Sequence, residues 1–185
     1  MEEILKMDHN FYCEHGRVIL IPLKKENVEQ VRRLRNLPHI REWFNYSEEI
    51  SEEEQSKWFT RYLSDSTDYM YVAFLKNNPK QFVGTYASYN LDTEKRAIEV
   101  GRLMVDSQNI SERGIGYDVV AAGIKIVFEN LPVDTITGEV FADNVRSMRC
   151  SLEGGKFRIT GKKNVEGREV LLLSITRQQY LNEER

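Results

Sequence analysis

Ser111-Glu112-Arg113-Gly114-Ile115-Gly116 stands between a strand-like run ending at Val105 and a helical run that continues to Glu129. Two glycines let the backbone turn tightly, so that free N–H groups and the positive end of the helix dipole converge on one point. That arrangement suits an anion, and a pyrophosphate fits it. An ordinary strand-to-helix turn uses the same residues, so the neighbouring elements have to decide. Beyond the glycines, Ile115, Val119, Ala122 and Ile126 step by four, three and four, which predicts a helix with one buried face, closed before Pro132.

Upstream, Tyr69–Lys76, Phe82–Leu91 and Arg96–Val105 are β-rich runs. They are separated by turn-forming residues at 77–80 and 92–95, connections too short for helical crossovers, so an antiparallel meander is expected. Earlier still, the run at 17–23, broken at Pro22, reads as a first strand behind a loose arm of residues 1–16. From Glu26 to Leu37, Val28, Val31 and Leu34 recur every three positions before Pro38, which predicts a helix. Ser51 with Glu54 forms a capping-box pattern, and Trp58, Phe59, Tyr62 and Leu63 give the following helix its apolar face.

Downstream, residues 133–141 form a strand, Asn144 caps a short helix reaching Glu153, and Val170–Ile175 is a late apolar strand before a polar tail. The order β, αα, βββ, α, β, α, β predicts an α+β fold, a mixed sheet flanked by helices. With 185 residues, no internal repeat and no linker-like tract, the expectation is one domain over residues 1–185.

Composition narrows the function. The chain is 41% hydrophobic and 30% charged, with a net charge of −3, and Lys and Arg are interspersed with Asp and Glu. No phosphate-neutralising surface of the kind nucleic acid needs is visible. No apolar stretch approaches a membrane span, and the acidic, polar start lacks the pattern of a secretory signal, so a cytoplasmic location is expected. Cys13 and Cys150 are too few for a disulfide framework. Neither they nor His9, His15 and His39 show metal-ligand spacing, so no metal is expected, and neither cysteine has a placed histidine partner that would make it a nucleophile.

Around the glycine loop stand Glu99-Val100-Gly101-Arg102-Leu103-Met104-Val105 upstream and Asn144-Val145-Arg146-Ser147, then Gly154-Gly155-Lys156-Phe157, downstream. With these in place the chain resembles the GNAT superfamily of acetyl-CoA-dependent N-acetyltransferases from Val18 to Ile175. The resemblance implies the acyl-CoA N-acyltransferase fold, with a mostly antiparallel twisted sheet, and acetyl-CoA as cosubstrate. By carry-over, Arg113, Gly114, Ile115 and Gly116 wrap the pyrophosphate. Leu103, Met104 and Val105 offer backbone groups to the pantetheine arm, and Asn144 and Ser147 stand beside it.

The resemblance also makes Glu99 the base, drawing the amine proton off through ordered water; a charged strand residue facing solvent is the other reading. The pattern departs in two places. Ser111 stands where a Gln or Arg is usual. The tyrosine that many relatives use to protonate the departing thiolate would fall near Ser151, where the chain has none. The mechanism implied is direct transfer, with backbone N–H groups polarising the thioester carbonyl.

The segment from Arg35 to Phe44, then Ile50–Glu53 and Lys57-Trp58-Phe59, resembles the subgroup that acetylates amino groups of nucleotide-linked sugars, as in pseudaminic-acid synthesis. That resemblance assigns Arg35, Asn36, Trp43, Phe44 and Trp58 to a small-molecule amine acceptor, although Trp58 also reads as a core residue. Length and C-terminal residues suit ribosomal-protein and polyamine acetyltransferases equally. A non-catalytic acyl-CoA-binding regulator is a third reading, and a homodimer stays open.

Overall fold

In the computed structural model, residues 9–183 are described. An eight-stranded mixed sheet has the order β1-β2-β3-β4-β5-β6-β8-β7. β1 (Cys13–His15), β2 (Val18–Pro22), β3 (Tyr69–Leu75), β4 (Phe82–Asp92) and β5 (Ala97–Val105) pair antiparallel in sequence. The expected three-stranded meander is present as β3, β4 and β5, and β2 and β1 extend it at one edge. β6 (Thr135–Phe141) then lies parallel to β5, reached through the helix α4 (Ile115–Asn130), a crossover that parallel pairing requires. β8 (Arg168–Thr176) and β7 (Arg158–Val165) close the far edge as a hairpin.

Two apolar clusters hold the layers together. On one face α4 buries Ile115, Val119, Ile126 and Val127 against Leu20, Tyr71, Ile98 and Ile136. On the other, α1 (Val28–Asn36) and α3 (Glu52–Ser64) cover Met70, Val72 and Met104 with Val31, Leu34 and Tyr62. Both halves of the capping box are made: Glu54 N–H donates to Ser51 Oγ at 3.2 Å and Ser51 N–H to the Glu54 carboxylate at 2.8 Å.

Four expectations need correction. The arm is not loose throughout, because Cys13–His15 pairs with β2 and Cys13 is buried; residues 1–8 lie outside those described. Leu63 is exposed rather than on the packed face of α3. The connection after α1 begins with a short helix, α2 (Pro38–Arg41), because Pro38 is preset for a first helical turn. The expected order lacks a strand that the fold has, β7, between the short helix and the late apolar strand, and the polar tail forms α6 (Arg177–Glu183).

The feature that matters for function is a split in the sheet. β5 and β6 pair only through Ala97–Val100 and Thr135–Gly138, although both strands run on. β5 also carries an extra residue opposite β4, between the pairs Ala87↔Gly101 and Thr85↔Met104. Arg102 takes up the slack with φ of 49°, and Thr85 Oγ1 donates to its carbonyl at 2.8 Å. A bulge there bends β5 away from β6 and leaves the end of the strand without a partner on that side.

Candidate active site

The split opens into three adjoining cavities. The largest, about 810 Å³, runs from Leu103 and Val105 on β5 past the start of α4 to the helix α5 (Val145–Arg149). A second, about 380 Å³, occupies the gap between β5 and β6. The third, about 460 Å³, lies on the opposite face beneath α1 and α3. Phe44 lines all three, and Arg102 lines the second and third.

The glycine loop is built as an anion cradle. Gly114 is the N-cap of the 16-residue α4, with φ of 79°, and no side chain caps the first turn. Its first amides are therefore left to an incoming ligand. A side chain at Gly116 could not fit, because its Cβ would come within 2.7 Å of Cys150 Sγ. Arg113 lines the groove, and Arg146 and Arg149 face it from α5. These features fit a pyrophosphate-bearing cosubstrate.

Sequence reading missed a support for this loop. Arg17, in the turn between β1 and β2, donates to the Arg113 carbonyl at 2.7 Å and pairs with Asp118 of α4 at 2.6 Å. Only the fold brings residues so far apart in sequence together.

The remaining cofactor residues divide by strand pleat. Leu103 and Val105 face the groove, whereas Met104 is buried on the opposite face and touches the third cavity. Any Met104 contribution to the groove is therefore through its backbone. Asn144 accepts from the Ser147 N–H at 3.1 Å, capping α5, and both residues line the groove. Cys150 is buried and its thiol is pushed up to about 11, chiefly by that burial. It remains protonated at neutral pH and is no nucleophile.

On the acceptor side, Arg35, Phe44 and Trp58 line the third cavity, and Trp43 and Phe44 line the first two. Trp43 is held in place by Arg168 of β8, which donates to the Glu42 carbonyl at 3.5 Å and stacks on Phe141 at 3.7 Å. Asn36 does something else: its side chain bonds the backbone N–H and carbonyl of Ile50, both at 2.9 Å, fixing the connection to α3. Trp58 is half-buried and stacks on Tyr62 at 5.5 Å, so packing and cavity lining coexist.

Glu99 is exposed, accepts from Asn90 Nδ2 at 3.2 Å and stands outside the lining of the three cavities. Glu139 on β6 does line the gap and pairs with Lys163 at 2.6 Å. Sequence reading missed Glu139 because nothing local distinguishes it from a surface strand residue.

A sheet split beside an uncapped helix N-terminus suits a transferase that takes an acyl-CoA, and the chain belongs to the GNAT acetyltransferases. Residues 17–155 match the family described as "Acetyltransferase (GNAT) domain". It is an acetyltransferase with acetyl-CoA as cosubstrate. Among particular relatives, it is 27% identical over 127 residues to the acetyltransferase PseH of Campylobacter jejuni subsp. jejuni serotype O:23/36 (strain 81-176), covering 69% of this chain and 74% of that protein.

Solved structures share the fold. The spermidine N-acetyltransferase of Vibrio cholerae, in complex with CoA and spermine, superposes with a TM-score of 0.78 at 17% identity, over 90% of this chain and 99% of that one. AAC(6')-Ib in complex with paromomycin and acetyl-CoA gives 0.76 at 19% identity, over 92% and 99%.

Proposed function

We propose that the acceptor is the amino group of a nucleotide-linked sugar. The observation that carries this reading is the charge of the third cavity. Arg35 is only 7% exposed, stacks on Phe44 at 3.8 Å and donates to the Tyr46 carbonyl, while its Nη1 has no hydrogen-bond partner. Desolvation, then the charge of Arg41, lowers its pKa. Among the described residues, Arg61 also lines the cavity and makes no ion pair, whereas the only carboxylate in its lining, Glu54, is engaged at the Ser51 cap. Aromatic walls at Phe44, Tyr46 and Trp58 offer stacking area for a base.

Polyamines and aminoglycosides are polycations, and a site with two unpaired guanidinium groups repels them. A phosphate-bearing acceptor would satisfy both, and Arg suits phosphate because its fork is planar and bidentate. Once bound, the amine would approach the gap between β5 and β6, where Glu139 lines the cavity and attracts its cationic form, with Glu99 outside the lining and reached only through water. Glu99 would then draw off its proton through water before attack on the thioester.

CoA thiol release from acetyl-CoA, followed with a nucleotide 4-amino sugar, spermidine, a ribosomal N-terminal peptide and an aminoglycoside, tests this. The amino sugar should be turned over with the highest kcat/KM. Preference for spermidine or the aminoglycoside would refute the reading.

A further inference from the structure

We propose that Tyr89 is the proton donor to the departing CoA thiolate, a catalytic residue that replaces the tyrosine missing from the α5 region. Tyr89 is on β4, paired with Glu99, and its ring lies along β5 towards the split. A Cβ built on Gly101 would come within 2.5 Å of the Tyr89 hydroxyl, so the absent side chain at 101 is what gives the phenol its place. Gly101 is the first β5 residue past the last pair with β6, so the hydroxyl stands at the mouth of the gap where a thioester would react.

The hydroxyl is also unoccupied: among the described residues it makes no hydrogen bond. It lines the same cavity as Ser151, so the phenol reaches from β4 the space that a side chain at 151 would reach from the other wall. Ser147 and Ser151 are the hydroxyls that wall provides, and aliphatic alcohols are much weaker acids than a phenol. Tyr86, the other tyrosine of this cavity, has its hydroxyl sealed in the core.

The groups facing Tyr89 keep it protonated. Burial raises its pKa most, Glu99, Glu139 and Asp68 raise it further, and Arg102, whose guanidinium lies 4.7 Å from the ring centre, opposes them. In the step itself, the amine lone pair forms the C–N bond and the C–S bond breaks with its electron pair on sulfur. Tyr89 gives its proton to that sulfur, forming the free thiol. The proton lost by the amine passes to Glu99 and solvent, and solvent returns one to the phenolate.

The test is Tyr89→Phe, assayed for CoA thiol release with the best amine of the panel and again with no amine, where water attacks and the thiolate still needs its proton. The second arm makes the result independent of the acceptor's identity. Both rates should fall on the order of 100-fold, as loss of a positioned acid does, with acetyl-CoA binding and the thermal midpoint unchanged. Rates within about threefold of the parent's, a conventional margin for no effect against the 100-fold expected of an acid, overturn the proposal. So does a loss confined to the amine reaction, which would place Tyr89 on the acceptor, or a loss explained by weakened binding or folding.

Discussion

A guanidinium packed against an aromatic ring with no carboxylate beside it is costly to bury, and the cost is recovered when an anion arrives. Arg35 is in that position. Charge-assisted hydrogen bonds contribute about 1.5–3 kcal/mol, so Arg35→Ala should raise the KM for a nucleotide sugar by about 10- to 150-fold. The KM for acetyl-CoA should not move; steady-state kinetics with each substrate varied in turn measures both. For the base, Glu99→Gln should lower kcat on the order of 100-fold. An unchanged kcat would transfer the role to Glu139, the carboxylate that lines the gap.

At the scale of elements, α4 depends on glycine where packing would ordinarily prefer alanine. A methyl at Gly123 would sit inside the van der Waals envelope of the Tyr86 ring. Gly123→Ala should therefore destabilise by about 1–3 kcal/mol by urea unfolding, against the gain of about 0.4–1 kcal/mol expected where the backbone has room. In α1, Glu29 accepts from Arg32 and Arg33, and those bonds lower its pKa to about 2. Because the folded value lies below the unfolded one, the stabilisation is complete above about 4.5 and is lost as pH falls towards 2. An NMR titration of the Glu29 carboxyl should find its midpoint near that lower value.

The elements legible in the sequence were those with a buried face. The apolar steps of α4, the capping box of α3 and the three runs of the meander each announce one. β7 gives no such signal, because nearly every residue from Arg158 to Val165 is exposed and its pairing with β8 is all that makes it a strand. The glycine loop was readable because its chemistry is contiguous. Arg17, Arg61, Tyr89 and Glu139 were not, since each acquires a role only where the fold brings distant segments together. Tyr89 in particular reads as one more core aromatic, and only the open space at Gly101 distinguishes it.

For the whole molecule, the bulge at Arg102 and the partial pairing of β5 with β6 make one gap that serves two faces of the sheet. Arginines stand at the phosphate loop on one side and beneath α1 and α3 on the other, although the net charge is −3. Two anionic substrates meeting at one split is the central claim. It is tested most directly by calorimetric binding of UDP to the acetyl-CoA-saturated protein, with spermine as the opposing ligand. The account predicts that UDP binds without displacing acetyl-CoA, that Arg35→Ala weakens it at least about tenfold, and that spermine does not compete. Tight spermine binding with no affinity for UDP would contradict it.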